Sequence, residues 1–158
     1  MAEKVYYDVV ASGTSATTLT FFAHNEADDG LTTTNLPSDS KVLRDFNIRR
    51  IEFIPASDIS AADAQKLTEN AVIEVIIDNK RVLAIPAALA FTDAGVSVYP
   101  EPGVTETNEY VKASGTLGGY ELREAITVPA NTQFNVKLHI GTAFATDTNL
   151  TLALVGSE

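Results

Sequence analysis

The chain has 158 residues, of which 45% are hydrophobic, and it carries 21 acidic and 11 basic side chains for a formal net charge of −10. This length predicts one domain over residues 1–158 with a sizeable core, and the apolar content excludes a mainly disordered protein. The acidity argues against nucleic acid as a general partner, and the absence of cysteine excludes disulfides, thiolate nucleophiles and cysteine metal sites.

The first residues lack a basic segment followed by an apolar one, so we expect no secretory signal. The longest apolar run, residues 71–77, is interrupted by Glu74 and is far shorter than the roughly 20 residues that a membrane-spanning helix needs. We therefore expect a protein that is made and folds in the cytoplasm and is not an integral membrane protein.

The first third of the chain predicts short strands and an exposed connection. Residues 5–10 and 17–23 are β-prone runs, and residues 24–40 form a polar stretch without periodicity. Residues 41–55 are strand-like, but their alternation slips at the pair Arg49-Arg50. A β-bulge at this pair would place four apolar residues on one face: Phe46, Ile48, Ile51 and Phe53.

One helix is indicated over residues 57–67, where capping residues and acids precede Lys66. Its only strongly apolar residues are Ile59 and Leu67, which predicts a decoration on a loop. The following runs, 71–77 and 81–85, are joined by Asp78-Asn79-Lys80 and predict a hairpin. The nearly continuous apolar run of residues 71–77 predicts a central strand that is covered on both faces.

The second half of the chain predicts further strands. Residues 87–91 fit a helical turn or a short strand, 96–99 and 109–113 fit short strands, and 114–119 fits a flexible loop. Residues 134–140 alternate strictly between apolar and polar, and 150–154 repeat the pattern after a loop, which we interpret as a strand pair. About eight to ten short strands with one minor helix predict an antiparallel sandwich or barrel.

Few residues suggest chemistry. His139 lies on the polar parity of its strand and is expected to face solvent or pack on the sheet. The loop after His24 carries Glu26, Asp28 and Asp29, whose oxygens suit a hard cation such as calcium. Their spacing departs from a calcium loop, and a solvated acidic loop is the alternative. The spacing of the acids predicts no metal site. No serine elbow or phosphate loop is present, so we expect no catalytic residue and no cofactor.

Two basic doublets, Arg49-Arg50 and Lys80-Arg81, are candidates for pairing with acids on a neighbouring subunit. The alternative for each is a solvated or locally paired charge.

Three stretches resemble single jelly-roll capsid proteins of the tailless icosahedral bacteriophages. They are residues 72–86 (VIEVIIDNKRVLAIP), 122–136 (LREAITVPANTQFNV) and 150–156 (LTLALVG), and the second resembles a proline-containing phrase that leads into a strand ending the sheet. The resemblance implies an all-β sandwich of jelly-roll type and a structural virion protein, a shell subunit without catalytic activity or cofactor.

The resemblance also implies partners and a location. The chain would associate with itself and with other capsid proteins, as a homo- or hetero-oligomer, and touch an internal membrane peripherally. It would take no small-molecule substrate and bind no nucleic acid directly. It would be assembled in the host cytoplasm and reside in the virion. The alternatives are a decoration or head-fibre protein of a phage and a carbohydrate-binding β-sandwich module. A cupin-type hydrolase would need clustered histidines, and the chain has two distant ones.

Overall fold

A computed structural model describes residues 2–56, 58–92, 97–100, 109–112 and 118–158 and contains two four-stranded antiparallel sheets with one shared hydrophobic core. Sheet 1 has the strand order β1-β10-β3-β8, sheet 2 has the order β2-β9-β4-β5, and β6 pairs with β7. The strands are β1 (Glu3–Ala11), β2 (Thr18–Phe21), β3 (Phe46–Pro55), β4 (Ala71–Ile77), β5 (Lys80–Pro86), β6 (Ser97–Pro100), β7 (Glu109–Lys112), β8 (Tyr120–Val128), β9 (Phe134–Ile140) and β10 (Asn149–Ser157). The helices are α1 (Glu26–Asp29), α2 (Ala61–Glu69) and a 3-10 turn at Ala87–Ala90.

The bulge expected in β3 is confirmed. The register of β3 against β10 shifts so that Arg50 is opposite Val155 while Ile48 is opposite Gly156, which leaves Arg49 as the extra residue. The four apolar residues that the bulge aligns are completely buried: Phe46, Ile48, Ile51 and Phe53. The bulge therefore lets β3 direct apolar side chains into the core on both sides of Arg49.

The predicted hairpin between β4 and β5 is also confirmed. Asp78 and Asn79 have positive φ values of 51° and 60°, the conformation that a two-residue hairpin turn requires at both positions. The expectation that β4 is covered on both faces is wrong, because Val72 on its outer face is 39% exposed. β4 is central within its sheet, yet the described residues leave that face partly open to solvent.

The interpretation of β9 and β10 as a strand pair is wrong. β9 lies between β2 and β4 in sheet 2, whereas β10 lies between β1 and β3 in sheet 1. The loop between them crosses from one sheet to the other, so the two apolar faces belong to opposite layers of the sandwich. For the same reason the proline-containing phrase before β9 does not lead into an edge strand.

The helix α2 is part of the core rather than a decoration. The helix begins after the N-cap Ser60. Leu67 within the helix is 1% exposed, and Ile59, which precedes the cap, is 3% exposed. Asp63 is fully buried and accepts hydrogen bonds from the backbone N–H groups of Ala145 and Thr146. The helix thereby fixes the loop that connects β9 to β10.

Hydrogen bonds to Asp63 also set its charge state. Burial alone would raise the pKa of this carboxyl, but the bonds from Ala145, Lys66 and Thr146 outweigh burial and hold the pKa below its ordinary value. Asp63 is therefore a carboxylate at neutral pH, and Lys66, 3.0 Å from it, also donates to the carbonyl of Ala143.

The stretch expected to be an exposed connection, residues 24–40, is partly buried. Thr34 and Leu36 have no exposed surface. Asn35 bonds the backbone of β1 twice, through its Oδ1 to the N–H of Tyr7 and through its Nδ2 to the carbonyl of Val5. This segment therefore covers the outer edge of β1.

Some of the remaining predicted elements are confirmed, and others lie outside the residues that the structure describes. Of the ambiguous residues 87–91, Ala87–Ala90 form the 3-10 turn, and the two short strands after it are β6 and β7. The flexible loop predicted at 114–119 lies mostly outside the described residues, as does residue 57, where the helix was expected to begin.

Candidate functional site

The β3 bulge places the first predicted basic pair beside a polar cleft on sheet 1. The cleft has a volume of about 370 Å³. It lies where β1, β3, β8 and β10 come together, and the backbone of β10 forms part of its wall. Its lining residues are Glu3, Arg49, Arg50, Glu121, Val155, Gly156 and Ser157.

The two arginines of this cleft differ in their contacts. The Nε atom of Arg50 donates to Glu52 at 2.9 Å, so this charge is balanced within the chain. The side chain of Arg49 is exposed and has no hydrogen-bond or ion-pair partner among the described residues. Because a guanidinium offers several donors, Arg49 can bind a carboxylate from another chain.

The second predicted pair lies on the other sheet, at the turn between β4 and β5. Arg81 donates through Nε to the carboxylate of Glu74, and its side chain remains 66% exposed. Lys80 is exposed and has no ion-pair partner among the residues that the structure describes. Lys80 and the outer nitrogens of Arg81 are therefore free to bind an incoming acid.

Glu74 is the centre of a polar cluster on the outer face of sheet 2. Its carboxylate bonds the Nε2 atom of His139 at 2.9 Å as well as Arg81, and the Nδ1 atom of His139 lies 3.3 Å from the hydroxyl of Thr18. Hydrogen bonds from His139 and Arg81 hold the pKa of Glu74 below its ordinary value. A carboxylate only accepts, so Nε2 of His139 is the donor in the bond to Glu74.

This cluster joins four strands of one sheet. Thr18 is on β2, His139 on β9, Glu74 on β4 and Arg81 on β5. The sequence indicated no partner for His139, because Glu74 is 65 residues away along the chain. The alternation of β9 gave the only available signal, since it placed His139 on the outer face where a cross-strand acid could reach it.

The three acids considered for a cation have local structural roles. Glu26, Asp28 and Asp29 form the single turn of α1, which is capped by the side chain of Asn25 at the N–H of Asp28. Asp29 lies 3.3 Å from the Nδ1 atom of His24. Within the described ranges, no group of three or more His, Asp or Glu side chains is placed to hold a metal ion.

A second cleft, of about 280 Å³, lies beside α1. Tyr6 lines it and donates its hydroxyl to the carboxylate of Glu158, with Lys4 over the tyrosine ring at 5.1 Å. Burial, followed by the contact with Glu158, raises the pKa of Tyr6 above its ordinary value. The tyrosine is therefore neutral and donates to Glu158, the residue that follows β10.

Comparison with protein-family models, with curated proteins and with solved structures finds no match to this chain. Among the described residues, none of the helices is both long and apolar enough to span a bilayer.

Proposed function

We propose that this chain is a jelly-roll structural subunit that assembles with copies of itself into a viral shell. One observation carries the proposal, the nesting of the strand pairs: β1 with β10, β2 with β9, β3 with β8 and β4 with β5. Successive pairs alternate between the two sheets. This nesting supports a jelly roll, an eight-stranded architecture used by viral capsid proteins, lectins and cupins. The β6–β7 hairpin is then an insertion between β5 and β8.

Features of the surface support assembly over the other uses of this architecture. Arg49, Lys80 and Arg81 present cationic groups at two separate places on a chain of net charge −10. Exposed aliphatic side chains lie on loops, on β4 and β5 and on the 3-10 turn: Leu31, Leu43, Val72, Val82 and Leu89. Alternating apolar and charged groups of this kind suit contacts between protein subunits.

The proposed role needs no catalytic residue and no cofactor. The partners are further copies of the chain and other capsid proteins, with peripheral contact to an internal membrane and no direct contact with nucleic acid. The proposed location is the virion, after assembly in the host cytoplasm.

The mass of the purified protein in solution tests this proposal, measured by light scattering over a range of concentrations and salt. Large closed assemblies of defined mass support a shell subunit. Small oligomers that never grow favour a decoration protein. A monomer whose only response is to bind glycans would overturn the proposal in favour of a carbohydrate-binding module.

A further inference from the structure

Two opposite sides of the sandwich carry exposed patches of complementary charge. The first, the β5 strip, combines cationic and aliphatic groups and consists of Lys80, Arg81, Val82 and Val72. The second, the α1 patch, combines acidic and aliphatic groups and consists of Glu26, Asp28, Asp29 and Leu31. All of these side chains are exposed, with Leu31 at 58% and Val82 at 45%.

The strand order places the two patches far apart. β5 is the edge strand at one end of sheet 2, and β2 is the edge strand at the other end. β1, the edge of sheet 1, is in contact with β2, and the segment that contains α1 follows β2 and covers β1. The α1 patch therefore lies at the β1–β2 side of the sandwich and the β5 strip at the opposite side.

Arg81, Val82 and Val72 of the β5 strip lie on the outer face of sheet 2, and Lys80, which is opposite the buried Ile77, is exposed beside the adjoining turn. Val72 and Glu74 are opposite Pro86 and Ala84, and the register shift between Val75 and Ile76 makes Val82 a bulged residue. A bulge turns two successive side chains to the same side, which accounts for the adjacent exposed side chains of Arg81 and Val82. The bond from Arg81 to Glu74 holds the guanidinium over this face.

The α1 patch presents side chains rather than an open strand edge. The backbone of β1 beneath it is already bonded, to Asn35 and, through the N–H of Val9, to the carbonyl of Thr33. These bonds occupy the backbone groups of Val5, Tyr7 and Val9, so a strand of another subunit cannot pair with β1 at these residues. A partner must meet the three carboxylates and Leu31 directly.

We propose that the β5 strip of one copy binds the α1 patch of the next copy, in a head-to-tail contact. This inference rests on the proposed function and specifies one pair of surfaces that takes part in the assembly. Lys80 and Arg81 meet Glu26 and Asp28 or Asp29, while Val82 and Val72 cover Leu31. Because the two patches differ and lie on opposite sides, a pair of subunits joined in this way keeps one unused strip and one unused patch, so the contact propagates into rings or open filaments rather than closing as a dimer.

Complementation between two variants tests the contact. The strip variant carries Lys80→Glu and Val82→Glu, and the patch variant carries Glu26→Gln and Leu31→Gln, which add no positive charge that the altered strip could bind. Each variant alone should need a concentration at least about tenfold higher to assemble, equivalent to about 1.4 kcal/mol per contact. Mixed in equal amounts, they should form a one-to-one heterodimer that does not grow, because one intact strip meets one intact patch.

The controls separate failure of this contact from failure of the proposed function. Arg123→Glu makes the same charge reversal on β8 and should leave assembly unchanged, and melting temperatures confirm that every variant folds. Lys80→Glu alone, at the exposed first residue of β5, provides a milder variant with the same expected direction. A wild-type chain that never assembles overturns the proposed function itself. A wild-type chain that assembles while the variants assemble equally well, or while the mixture gives no heterodimer, overturns only the head-to-tail contact.

Discussion

The carboxylate of Asp8 accepts a 2.6 Å hydrogen bond from the backbone N–H of Phe22 inside the sandwich. Asp8 has no exposed surface, and its second oxygen, Oδ1, has no hydrogen-bond partner within the described part of the chain. Phe22 has a positive φ of 68°, so this bond fixes an unfavourable backbone conformation just after β2. The pair links β1 to the start of the segment that carries the α1 patch.

Burial raises the pKa of Asp8 from 3.8 to about 6, against the lowering effects of the Phe22 bond and of His24. A raised folded-state pKa contributes stability that is complete below the unfolded value and is lost as the pH rises through about 6. In Asp8→Asn the side chain stays neutral, so this loss disappears. The free energy of unfolding of the variant relative to wild type should rise by roughly 3 kcal/mol between pH 4 and pH 8.

Urea unfolding of both proteins at several pH values measures this difference. Glu124→Gln, at an exposed glutamate of β8, controls for general charge effects. A difference between Asp8→Asn and wild type that does not change with pH would contradict a carboxylate strained by burial.

The bond network of Asp63 predicts a large stability loss on truncation. Asp63→Ala leaves the N–H groups of Ala145 and Thr146 without their acceptor and removes the partner of Lys66, at a cost of roughly 3 kcal/mol. Gln65→Ala on the exposed side of the same helix should cost less than about 1 kcal/mol. Because the pKa of Asp63 is lowered, its contribution is present above the unfolded pKa and is lost as the pH falls through the folded value. Equal melting temperatures for the two variants would show that Asp63 does not anchor the loop.

Gly156 marks a close approach between β10 and β3. A Cβ atom at this position would overlap the carbonyl oxygen of Asn47, next to the register shift that forms the bulge. Gly156→Ala should therefore destabilise the protein by about 2 kcal/mol or more and distort the polar cleft. Gly118→Ala is the matched control, because no atom of the described residues lies within 4 Å of its added Cβ. Thermal unfolding that ranks the two variants equally would rule out the tight approach.

Arg49 predicts a loss of assembly without a loss of folding. Replacing Arg49 and Arg50 together with alanine should weaken assembly and leave the melting temperature unchanged. Arg49→Ala alone should account for most of the effect, since Arg50 is already paired with Glu52. Light scattering and thermal unfolding on the same samples separate the two readouts. A lower melting temperature with normal assembly would instead assign the pair to the fold of the single subunit.

The elements that local pattern determines were predictable, and the arrangement between distant segments was not. The parity slip at Arg49 and the Asp78-Asn79 turn are local signals, so the bulge and the hairpin followed from the sequence. Alternation identifies β9 and β10 as strands but does not say to which sheet each belongs, and that is where the expected strand pair failed.

The candidate sites show the same division between local and long-range information. The basic pairs are visible in the sequence, but the bond of Arg81 to Glu74 and that of Glu74 to His139 depend on three strands meeting. The burial of α2 was missed because its buried polar residue, Asp63, is satisfied by a loop more than 80 residues away. Long-range hydrogen bonds of this kind have no periodic signature in one sequence.

Electron microscopy of the purified wild-type chain tests the central claim most directly. Protein concentrated at near-neutral pH, with salt varied, should form closed particles or rings of uniform size built from repeated copies of this sandwich. Images that show only dispersed monomers under every one of these conditions, from protein that unfolds cooperatively, would contradict the account of the chain as a self-assembling shell subunit.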